Sequence, residues 1–224
     1  MGFVAIGDVH GCRVTLEALL KEIAPREDDI LVFIGDYIDR GPDSKGVIDF
    51  LLAYRKTQNC VFLRGNHEQM LLDMLDGGIE ALWLSNGGRD TMESYRRAGF
   101  EQIPEEHIRF IRDTLFYYEA EEFLFVHGGL KPRFTVAQNL SLFDQEIFLW
   151  ERSHLRTEFN EWEKTVICGH TPQPHVLMQA NLICIDTGCV FNYIPQFGTL
   201  SAIRLPEHQI ITIPNQERPV PLNG

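Results

Sequence analysis

The sequence predicts an α/β fold that is built on parallel strands, and two observations lead to this prediction. Short runs of branched and aromatic apolar residues alternate with longer stretches whose apolar residues recur at helical spacing. The composition is 44% hydrophobic and 23% charged over 224 residues, as in a globular protein with an ample core. Strands that alternate with helices are typical of parallel strands joined by right-handed crossovers. We therefore expect a β-α-β-α-β unit at the start of the chain.

The elements of this unit follow one another without a gap in the pattern. They are predicted as strands at Phe3–Ile6, Ile30–Ile34 and Val61–Leu63, with helices at Val14–Ile23, Ser44–Tyr54 and Gln69–Leu75. Each strand is a short continuous apolar run, as expected for a strand that is buried on both faces.

After this unit the sequence predicts a region of short helices and then a second region of strands. From Gly77 to Thr114 we expect several short helices, one of them beginning near Pro104-Glu105-Glu106, because proline and acidic residues favour a first helical turn. Further strands are predicted at Phe116–Tyr118, Phe123–Val126, Thr165–Cys168, Val176–Met178, Leu182–Ile185, Leu200–Arg204 and Ile210–Ile213. We find no internal repeat or linker, which predicts a single domain over residues 1–224, with 214–224 as an extended tail.

Four polar runs stand where predicted strands end. They are Gly7-Asp8-Val9-His10-Gly11, Gly35-Asp36-Tyr37-Ile38-Asp39-Arg40-Gly41, Gly65-Asn66-His67-Glu68 and His127-Gly128-Gly129. Asp36 follows Asp8 by 28 residues and Asn66 follows Asp36 by 30, which is about one βαβ unit each time. The carboxyl ends of parallel strands meet at one edge of a sheet, and ligands bind there. We therefore expect these side chains to form one shared metal site.

The candidate metal ligands combine carboxylates, imidazoles and an amide. They are Asp8, His10, Asp36, Asn66, His127 and His170. Such a mixture suits Mn, Fe or Zn better than a cage of oxygen ligands for Ca or Mg. We expect two divalent ions, with Mn favoured, and Asp36 as the residue that bridges them because its motif follows the middle strand. Asp8 and His10 would complete the protein ligands of one ion, and Asn66, His127 and His170 those of the other.

The runs GDVHG, GDYIDRG, RGNHE and HGG resemble the signature of the calcineurin-like metallophosphoesterases, and in particular of the PPP-type serine/threonine protein phosphatases. The resemblance extends from Phe3 to about Leu205. It implies a central β-sandwich flanked by helices, a binuclear metal centre and hydrolysis of phosphomonoesters. It also implies a metal-bridging hydroxide that attacks phosphorus in line.

Further site residues follow from the same resemblance. It implies that His67 is the general acid, that Asp39 orients it, and that Arg40 and Arg152 hold the phosphate, with Asn66 also at the substrate. The chemistry agrees, because a serine or threonine alkoxide is a poor leaving group and needs a proton. Arginine grips phosphate oxygens through paired, charge-assisted hydrogen bonds. Glu68 is expected to support the site, whereas His107, His154, His175 and His208 match no motif and are expected to play no part in it.

The substrate remains open between a phosphorylated protein and a small phosphoester. Asp39-Arg40-Gly41 resembles the protein phosphatases, because the symmetrical diadenosine tetraphosphatases commonly have Ala in place of that Asp. Asp186-Thr187-Gly188-Cys189-Val190 resembles both groups, and the segment Phe191–Phe197 resembles neither. We favour a bacterial-type serine/threonine phosphatase, with diadenosine tetraphosphate hydrolysis or a broad small-molecule phosphatase as alternatives. A non-catalytic, metal-stabilised binding module is a further alternative of another class, and loss of His67 or Asp39 would favour it.

Composition limits the partners and the location. A net charge of −12 argues against a nucleic-acid partner, and no apolar stretch is long enough for a membrane span. The five cysteines show no CxxC spacing, which argues against a disulfide framework or a zinc ribbon. We expect a cytoplasmic protein that binds no membrane. We expect no regulatory subunit either, since the long C-terminal region that eukaryotic phosphatases use for this is absent from the sequence.

Overall fold

The computed structural model describes residues 2–157 and 159–218, which form two five-stranded β-sheets and the helices around them. The strands are β1 (Gly2–Ile6), β2 (Asp29–Phe33), β3 (Cys60–Phe62), β4 (Tyr117–Glu119), β5 (Phe123–Val126), β6 (Thr165–Cys168), β7 (Leu177–Gln179), β8 (Leu182–Cys184), β9 (Thr199–Leu205) and β10 (Gln209–Pro214). The α-helices are α1 (Arg13–Ile23), α2 (Ser44–Tyr54), α3 (Asn66–Leu75), α4 (Glu80–Trp83), α5 (Arg89–Arg97), α6 (Glu105–Arg112) and α7 (Val136–Leu142).

The first sheet confirms the predicted β-α-β-α-β unit. Its strand order is β10-β9-β1-β2-β3, and β1, β2 and β3 are parallel neighbours connected by α1 and α2. Ile6 pairs with Phe33, and Phe33 pairs with Phe62, so the three strands end side by side. The loops that follow them therefore begin at the same edge of the sheet, with the Asp36 loop in the middle.

The second sheet packs on the first and makes the β-sandwich that the family resemblance implies. Its order is β4-β5-β6-β8-β7, with β5, β6 and β8 parallel. The core between the sheets combines side chains of β1, β2 and β9 with Phe125, Ile167 and Ile183 of the second sheet. The outer face of the first sheet packs on α1, α2 and α3, and that of the second packs on α7. The loops after β5 and β6 thereby reach the loops after β1 to β3.

Most predicted elements are present with boundaries within one residue, but α3 begins earlier than predicted. The prediction placed its start at Gln69, whereas the helix begins at Asn66. The reason is local, because the Glu68 side chain accepts a hydrogen bond from the Gly65 N–H and closes the first turn. Asn66 and His67 thus stand on the first turn of a helix rather than in a loop.

Two other predictions need correction. Helix α7 was missed, although Thr135 and Gln138 form a capping box at its start, which is a readable signal. Pro214 is the last residue of β10 and not the start of a tail. Residues 215–218 have no regular structure, and the Glu217 carboxylate accepts hydrogen bonds from the Thr15 N–H and hydroxyl at the start of α1. Residues 219–224 of the predicted tail lie outside the described residues.

None of the helices in the described part of the chain has the length and apolar character that crossing a membrane would require. The longest, α1 and α2, have 11 residues each and bury one face against the first sheet.

A buried ion pair joins three elements of the first sheet. The Arg204 guanidinium on β9 binds the Asp29 carboxylate on β2, and its Nη2 donates to the Ile23 carbonyl at the end of α1, at 2.9 Å. Both side chains are less than 5% exposed. Removing one member of a buried pair leaves the other charge without compensation, which is costly.

We therefore expect Arg204→Met to lower the free energy of unfolding by about 3 kcal/mol. Urea denaturation followed by circular dichroism measures this change. Arg26→Met is the matched control, because it removes an exposed pair with Glu207 and should leave the transition nearly unchanged. Equal loss in both variants would show that the Arg204 pair is not the stabilising contact.

Candidate metal centre

The predicted metal ligands lie together at one edge of the sandwich. Asp8 and His10 follow β1, Asp36 follows β2, Asn66 opens α3 after β3, His127 follows β5 and His170 follows β6. All six side chains are buried. The structure thus brings together residues that are up to 162 positions apart in the sequence, as between Asp8 and His170.

The loops that carry these residues have an unusual backbone. Seven non-glycine residues of the described chain have a positive φ, and five of them belong to this region: His10, Asp36, Asp39, Arg40 and His170. A left-handed conformation costs an L-residue with a side chain of the order of 1 kcal/mol or more. Such strain clusters at functional sites, where the surrounding structure holds it in place. The backbone therefore supports a functional role for this edge.

The first group of candidate ligands centres on Asp36 and His10. His10 Nδ1 lies 2.9 Å from the Ile38 carbonyl oxygen, which can only accept, so Nδ1 carries the proton. His10 Nε2 then presents a lone pair, and it lies 3.4 Å from Asp36 Oδ2. His67 has a ligand atom in the same group. Two facing acceptors of this kind attract a cation between them.

The second group shares Asp36 with the first. His127 Nδ1 lies 3.0 Å from the Ile34 carbonyl oxygen, which assigns the proton to Nδ1 as in His10. His127 Nε2 then faces two acceptors, Asn66 Oδ1 at 3.0 Å and Asp36 Oδ1 at 3.5 Å. His170 completes the group. Asp36 is the one residue common to both groups, which agrees with the bridging role expected from its middle strand.

Two buried polar atoms at this edge have no hydrogen-bond partner among the described residues, Asp8 Oδ1 and His170 Nε2. The other oxygen of Asp8 accepts from the backbone N–H of His170, at 3.0 Å, so the two residues are joined. A buried acceptor without a partner is costly unless something else satisfies it. These orphan atoms, together with the facing acceptors around Asp36, fit divalent cations.

Burial sets the protonation of the imidazoles. It lowers the pKa of His10 to about 3 and that of His170 to about 2, and it also lowers the pKa of His127. The three rings are therefore neutral at pH 7, which is the form that binds metals. Two of the carboxyls behave in the opposite way, since burial and then neighbouring carboxylates raise the pKa of Asp8 well above its usual value. Burial likewise raises the pKa of Asp186 to about 7.

His67 is held by a second, fully buried set of contacts. Its Nδ1 lies 2.7 Å from Asp39 Oδ2. The Asp39 carboxylate also accepts from the Trp83 indole N–H, at 3.0 Å, and from the Thr91 hydroxyl, at 2.7 Å. Burial alone would lower the pKa of His67, but Asp36 and Asp39 outweigh it and raise the pKa. The ring is thus fixed in orientation and favours its protonated form.

Glu68 supports the site without facing it. Its carboxylate accepts from the backbone N–H groups of Gly65 and Asp36, at 2.9 and 2.8 Å, and of Tyr37 and Ile38, at 2.8 and 3.3 Å. The contact connects the start of α3 to the loop after β2. Glu68 therefore has the supporting position expected from the sequence.

The two arginines predicted to hold phosphate differ in how well they are placed. Arg40 Nη1 lies 2.7 Å from His10 Nε2, and its guanidinium stands over the Phe191 ring at 5.5 Å. Arg152 is exposed, but its charge lowers the pKa of His127 and His170, so it stands near the second group. Both cations therefore flank the candidate centre.

Three residues that contact or adjoin the site were not predicted. Trp83 and Thr91 hold Asp39 from the helical middle of the chain, and no motif in the sequence indicates them. Asp186 is buried beside the same centre and interacts with Asp8. A signal for Asp186 existed, because it follows the apolar run Leu182–Ile185 and precedes Gly188, as in the four recognised motifs.

The segment Asn86-Gly87-Gly88 lies beside Arg40. It belongs to one wide turn, Leu84–Gly88, that runs directly into α5. Gly87 has a φ of +110°, and its carbonyl accepts from the Arg40 N–H at 3.3 Å. The turn is thus attached to Arg40, and Asn86 and Gly87 line a cavity beside it.

Two of the remaining histidines are buried in contacts away from the centre. His107 is buried between Tyr95, whose hydroxyl lies 2.8 Å from Nδ1, and Asp49, whose Oδ1 lies 3.1 Å from Nε2. His154 is buried against Trp162, with its Nε2 3.7 Å from the Cys168 sulfur. Neither belongs to the groups of candidate ligands.

Comparison with known proteins gives one consistent family. The family model described as calcineurin-like phosphoesterase matches residues 1–195. Serine/threonine-protein phosphatase 1 of Salmonella typhimurium is 33% identical over 193 residues, which are 83% of this chain and 86% of that protein. An asymmetrical bis(5'-nucleosyl)-tetraphosphatase of Anoxybacillus flavithermus is 25% identical over 239 residues, 94% of this chain and 93% of that protein. A solved protein serine/threonine phosphatase of Saccharomyces cerevisiae has a TM-score of 0.66 at 16% identity, over 98% of this chain and 81% of that one, which shows a shared fold.

The protonation of the site predicts how metal binding depends on pH. A cation beside Asp8 and Asp186 would favour the charged forms of both carboxyls and so displace their protons. The imidazoles are already neutral and would release no proton when a metal binds. We therefore expect Mn²⁺ binding to the metal-free protein at pH 7 to release protons, and its affinity to rise as the pH increases from about 6 to 8.

Calorimetric titration in two buffers with different ionisation enthalpies measures the protons released. Asp186→Asn should reduce the release, and Asp144→Asn, an exposed acid in another loop, is the matched control. Mn²⁺ binding without proton release would contradict the assigned protonation of the two carboxyls.

Proposed function

Because the chain belongs to the calcineurin-like phosphoesterase family, we propose that this metal-dependent phosphatase hydrolyses phosphoserine and phosphothreonine in proteins. The observation that carries the proposal is the buried His67–Asp39 pair. Both residues whose loss would favour a non-catalytic binding module are present, as is the shared ligand Asp36.

The proposed ligands divide into two sets around Asp36. Asp8, His10 and Asp36 would hold one divalent ion, and Asp36, Asn66, His127 and His170 the other, with Mn²⁺ as the favoured metal. Two such ions supply a hydroxide nucleophile at neutral pH and neutralise charge on the phosphoryl oxygens. The carbonyls of Ile38 and Ile34 hold His10 and His127 in the tautomer that directs Nε2 to the ions.

His67 is proposed to protonate the leaving group. With Nδ1 bound to Asp39, its Nε2 is the nitrogen that remains to donate a proton. Trp83 and Thr91 fix Asp39, which prevents the ring from turning away. Asp36 and Asp39 raise the pKa of His67, which favours the protonated ring that a general acid needs.

Arg40 and Arg152 are proposed to bind the phosphate. Arg40 is oriented by the Phe191 ring and by its backbone N–H bond to the Gly87 carbonyl. Its guanidinium carries more donors than the contact with His10 uses, so it can still donate to phosphate oxygens. Asn66 stands between the second set of ligands and His67 and adjoins both.

Leaving-group chemistry favours a phosphoprotein over a dinucleotide. An alkoxide departs slowly without a proton, whereas a nucleoside polyphosphate is a good leaving group and needs a proton donor less. A general acid that is held by a buried carboxylate, itself fixed by two further hydrogen bonds, is therefore most useful with alkyl phosphates. The relative named serine/threonine-protein phosphatase 1 supports the same choice.

Hydrolysis of dinucleoside tetraphosphates is the second candidate. It is supported by the relatives named for that activity, which match the chain over 94% of its length at 25% identity. The metal centre itself does not discriminate, because the nucleophile and the phosphate clamp serve both substrates.

We expect a higher kcat/KM for phosphoserine and phosphothreonine peptides than for diadenosine tetraphosphate when both are assayed at equal enzyme concentration with Mn²⁺. Released phosphate and separated nucleotides give the two rates. A preference for the dinucleotide would reject the protein-phosphatase proposal and leave the family assignment intact.

His67→Asn should lower kcat on a phosphoserine peptide by about 10²- to 10⁴-fold, because the proton donor is lost. Metal content, measured by elemental analysis of the loaded protein, should stay unchanged. Hydrolysis of an aryl phosphate, whose leaving group is better, should fall less. His107→Asn, which changes a buried histidine away from the centre, is the control, and loss of metal in His67→Asn would make His67 a ligand instead.

A further inference from the structure

A cavity of about 390 Å³ opens beside Arg40, at the edge of the candidate centre. Phe191 and Tyr193 line it from the segment that follows β8, and Asn86 and Asp90 line it from the helical middle of the chain. Its volume suits one side chain or a small ligand. One side belongs to the segment Phe191–Phe197, which resembles neither the protein phosphatases nor the diadenosine tetraphosphatases.

Asp90 is the acidic residue of this cavity, and within residues 2–157 and 159–218 its carboxylate has no hydrogen bond or ion pair. Burial and then Asp39 raise its pKa, and Arg97 acts in the opposite direction. The Arg97 guanidinium is already engaged by the Pro42 carbonyl and lies 3.8 Å from Glu93. The Asp90 side chain is exposed, so its carboxylate is open to a ligand that enters the cavity.

The aromatic side of the cavity offers a free ring. Phe191 is engaged with Arg40, whose guanidinium carbon is 5.5 Å from the ring centre. Tyr193 lies 6.2 Å from Phe191, edge to face, and is 75% exposed. Its face carries no cation among the described residues. A tyrosine ring beside an unpaired carboxylate is a favourable place for a cation.

The charges of the site favour a cation here once substrate is bound. Among the described residues that line the cavity, Arg40 is the cation and Asp90 is the anion. When Arg40 binds a phosphate its charge is neutralised, and the negative charge of Asp90 is left uncompensated. The protein as a whole carries a charge of −12, which attracts basic peptides.

We propose that this cavity binds an arginine side chain that flanks the phosphorylated residue of a protein substrate. The inference rests on the proposed phosphoprotein function and specifies its substrate class. A guanidinium is planar, so it stacks on the Tyr193 ring while its N–H groups donate to the Asp90 carboxylate. The contact would select among phosphopeptides without taking part in the chemical step.

The experiment compares phosphoserine peptides that differ only in charge. Arginine is placed at each position flanking the phosphoserine, and each peptide is matched by one with citrulline, which has the same shape and no charge. We expect one position at which arginine raises kcat/KM about tenfold over citrulline, the size of one hydrogen-bonded charge contact. The preference should appear mainly in KM, because the contact binds substrate.

Two variants assign the preference to the cavity. Asp90→Asn should abolish the preference for arginine and leave kcat/KM on the citrulline peptide unchanged. Tyr193→Leu should reduce the preference, and it tests the cavity independently if Asp90→Asn does not fold. Glu101→Gln, an exposed acid outside the cavity, makes the same change in net charge and should keep the full preference.

The outcomes separate this inference from the proposed function. Equal rates on arginine and citrulline peptides in the unmodified protein would overturn the inference, while the phosphatase activity would stand. If Glu101→Gln and Asp90→Asn lose the preference for arginine equally, the preference comes from net charge and the inference is overturned. If Asp90→Asn lowers kcat/KM on both the arginine and the citrulline peptide, Asp90 supports Asp39 and the inference is also overturned. A preference for diadenosine tetraphosphate that falls in Tyr193→Leu but not in Asp90→Asn would assign the cavity to a nucleobase.

Discussion

The geometry of the site depends on one buried carboxylate, that of Glu68, which accepts hydrogen bonds from four backbone N–H groups. Three of them belong to the loop after β2, and the fourth belongs to Gly65 at the start of α3. This contact fixes the left-handed turn at Asp36 and joins two loops that would otherwise move independently. It also leaves no room for a side chain at Gly65, where a Cβ would lie 2.1 Å from Asp36 Oδ1. The position of Asp36, the proposed bridging ligand, therefore follows from a residue that faces away from the candidate metal centre.

Around the Glu68 carboxylate, the site contains two kinds of side chain: the candidate metal ligands, which present acceptor atoms, and His67, which is held in place by hydrogen bonds. His10, Asp36, Asn66 and His127 turn lone pairs toward one another, which is unfavourable in a dry interior without a cation. His67 is held differently, because its Nδ1 is bound by the Asp39 carboxylate, which in turn accepts from the Trp83 indole N–H and the Thr91 hydroxyl. Metal binding and folding should accordingly be coupled at the candidate metal ligands, whereas the contacts that hold His67 are complete without metal.

Substrate choice belongs to a different part of the molecule from the chemistry. Relatives named as protein phosphatases and relatives named as dinucleoside tetraphosphatases both match this chain over most of its length. The contacts proposed to select the substrate line the cavity between the Leu84–Gly88 turn and the Phe191–Tyr193 segment, next to Arg40. Tyr193 and Asp90, which line it, belong to none of the four polar runs that carry the candidate metal ligands. Arg40 connects the two regions, because it contacts His10 on one side and Phe191 on the other.

The amino-acid sequence was enough to predict the parallel strand unit, the position of Asp8, Asp36 and Asn66 at the ends of neighbouring strands, and the reaction class. These features are local, since an apolar run, a glycine and a polar side chain stand next to one another in the chain. Three further features became visible only in the folded protein: Trp83 and Thr91 hold Asp39, Asp186 joins the buried carboxyls, and Asp90 and Tyr193 share a cavity. Such contacts depend on how the helical middle and the second sheet pack on the first. No periodicity or spacing records that packing, because the partners lie 44 residues apart for Asp39 and Trp83 and more than 100 apart for Asp90 and Tyr193.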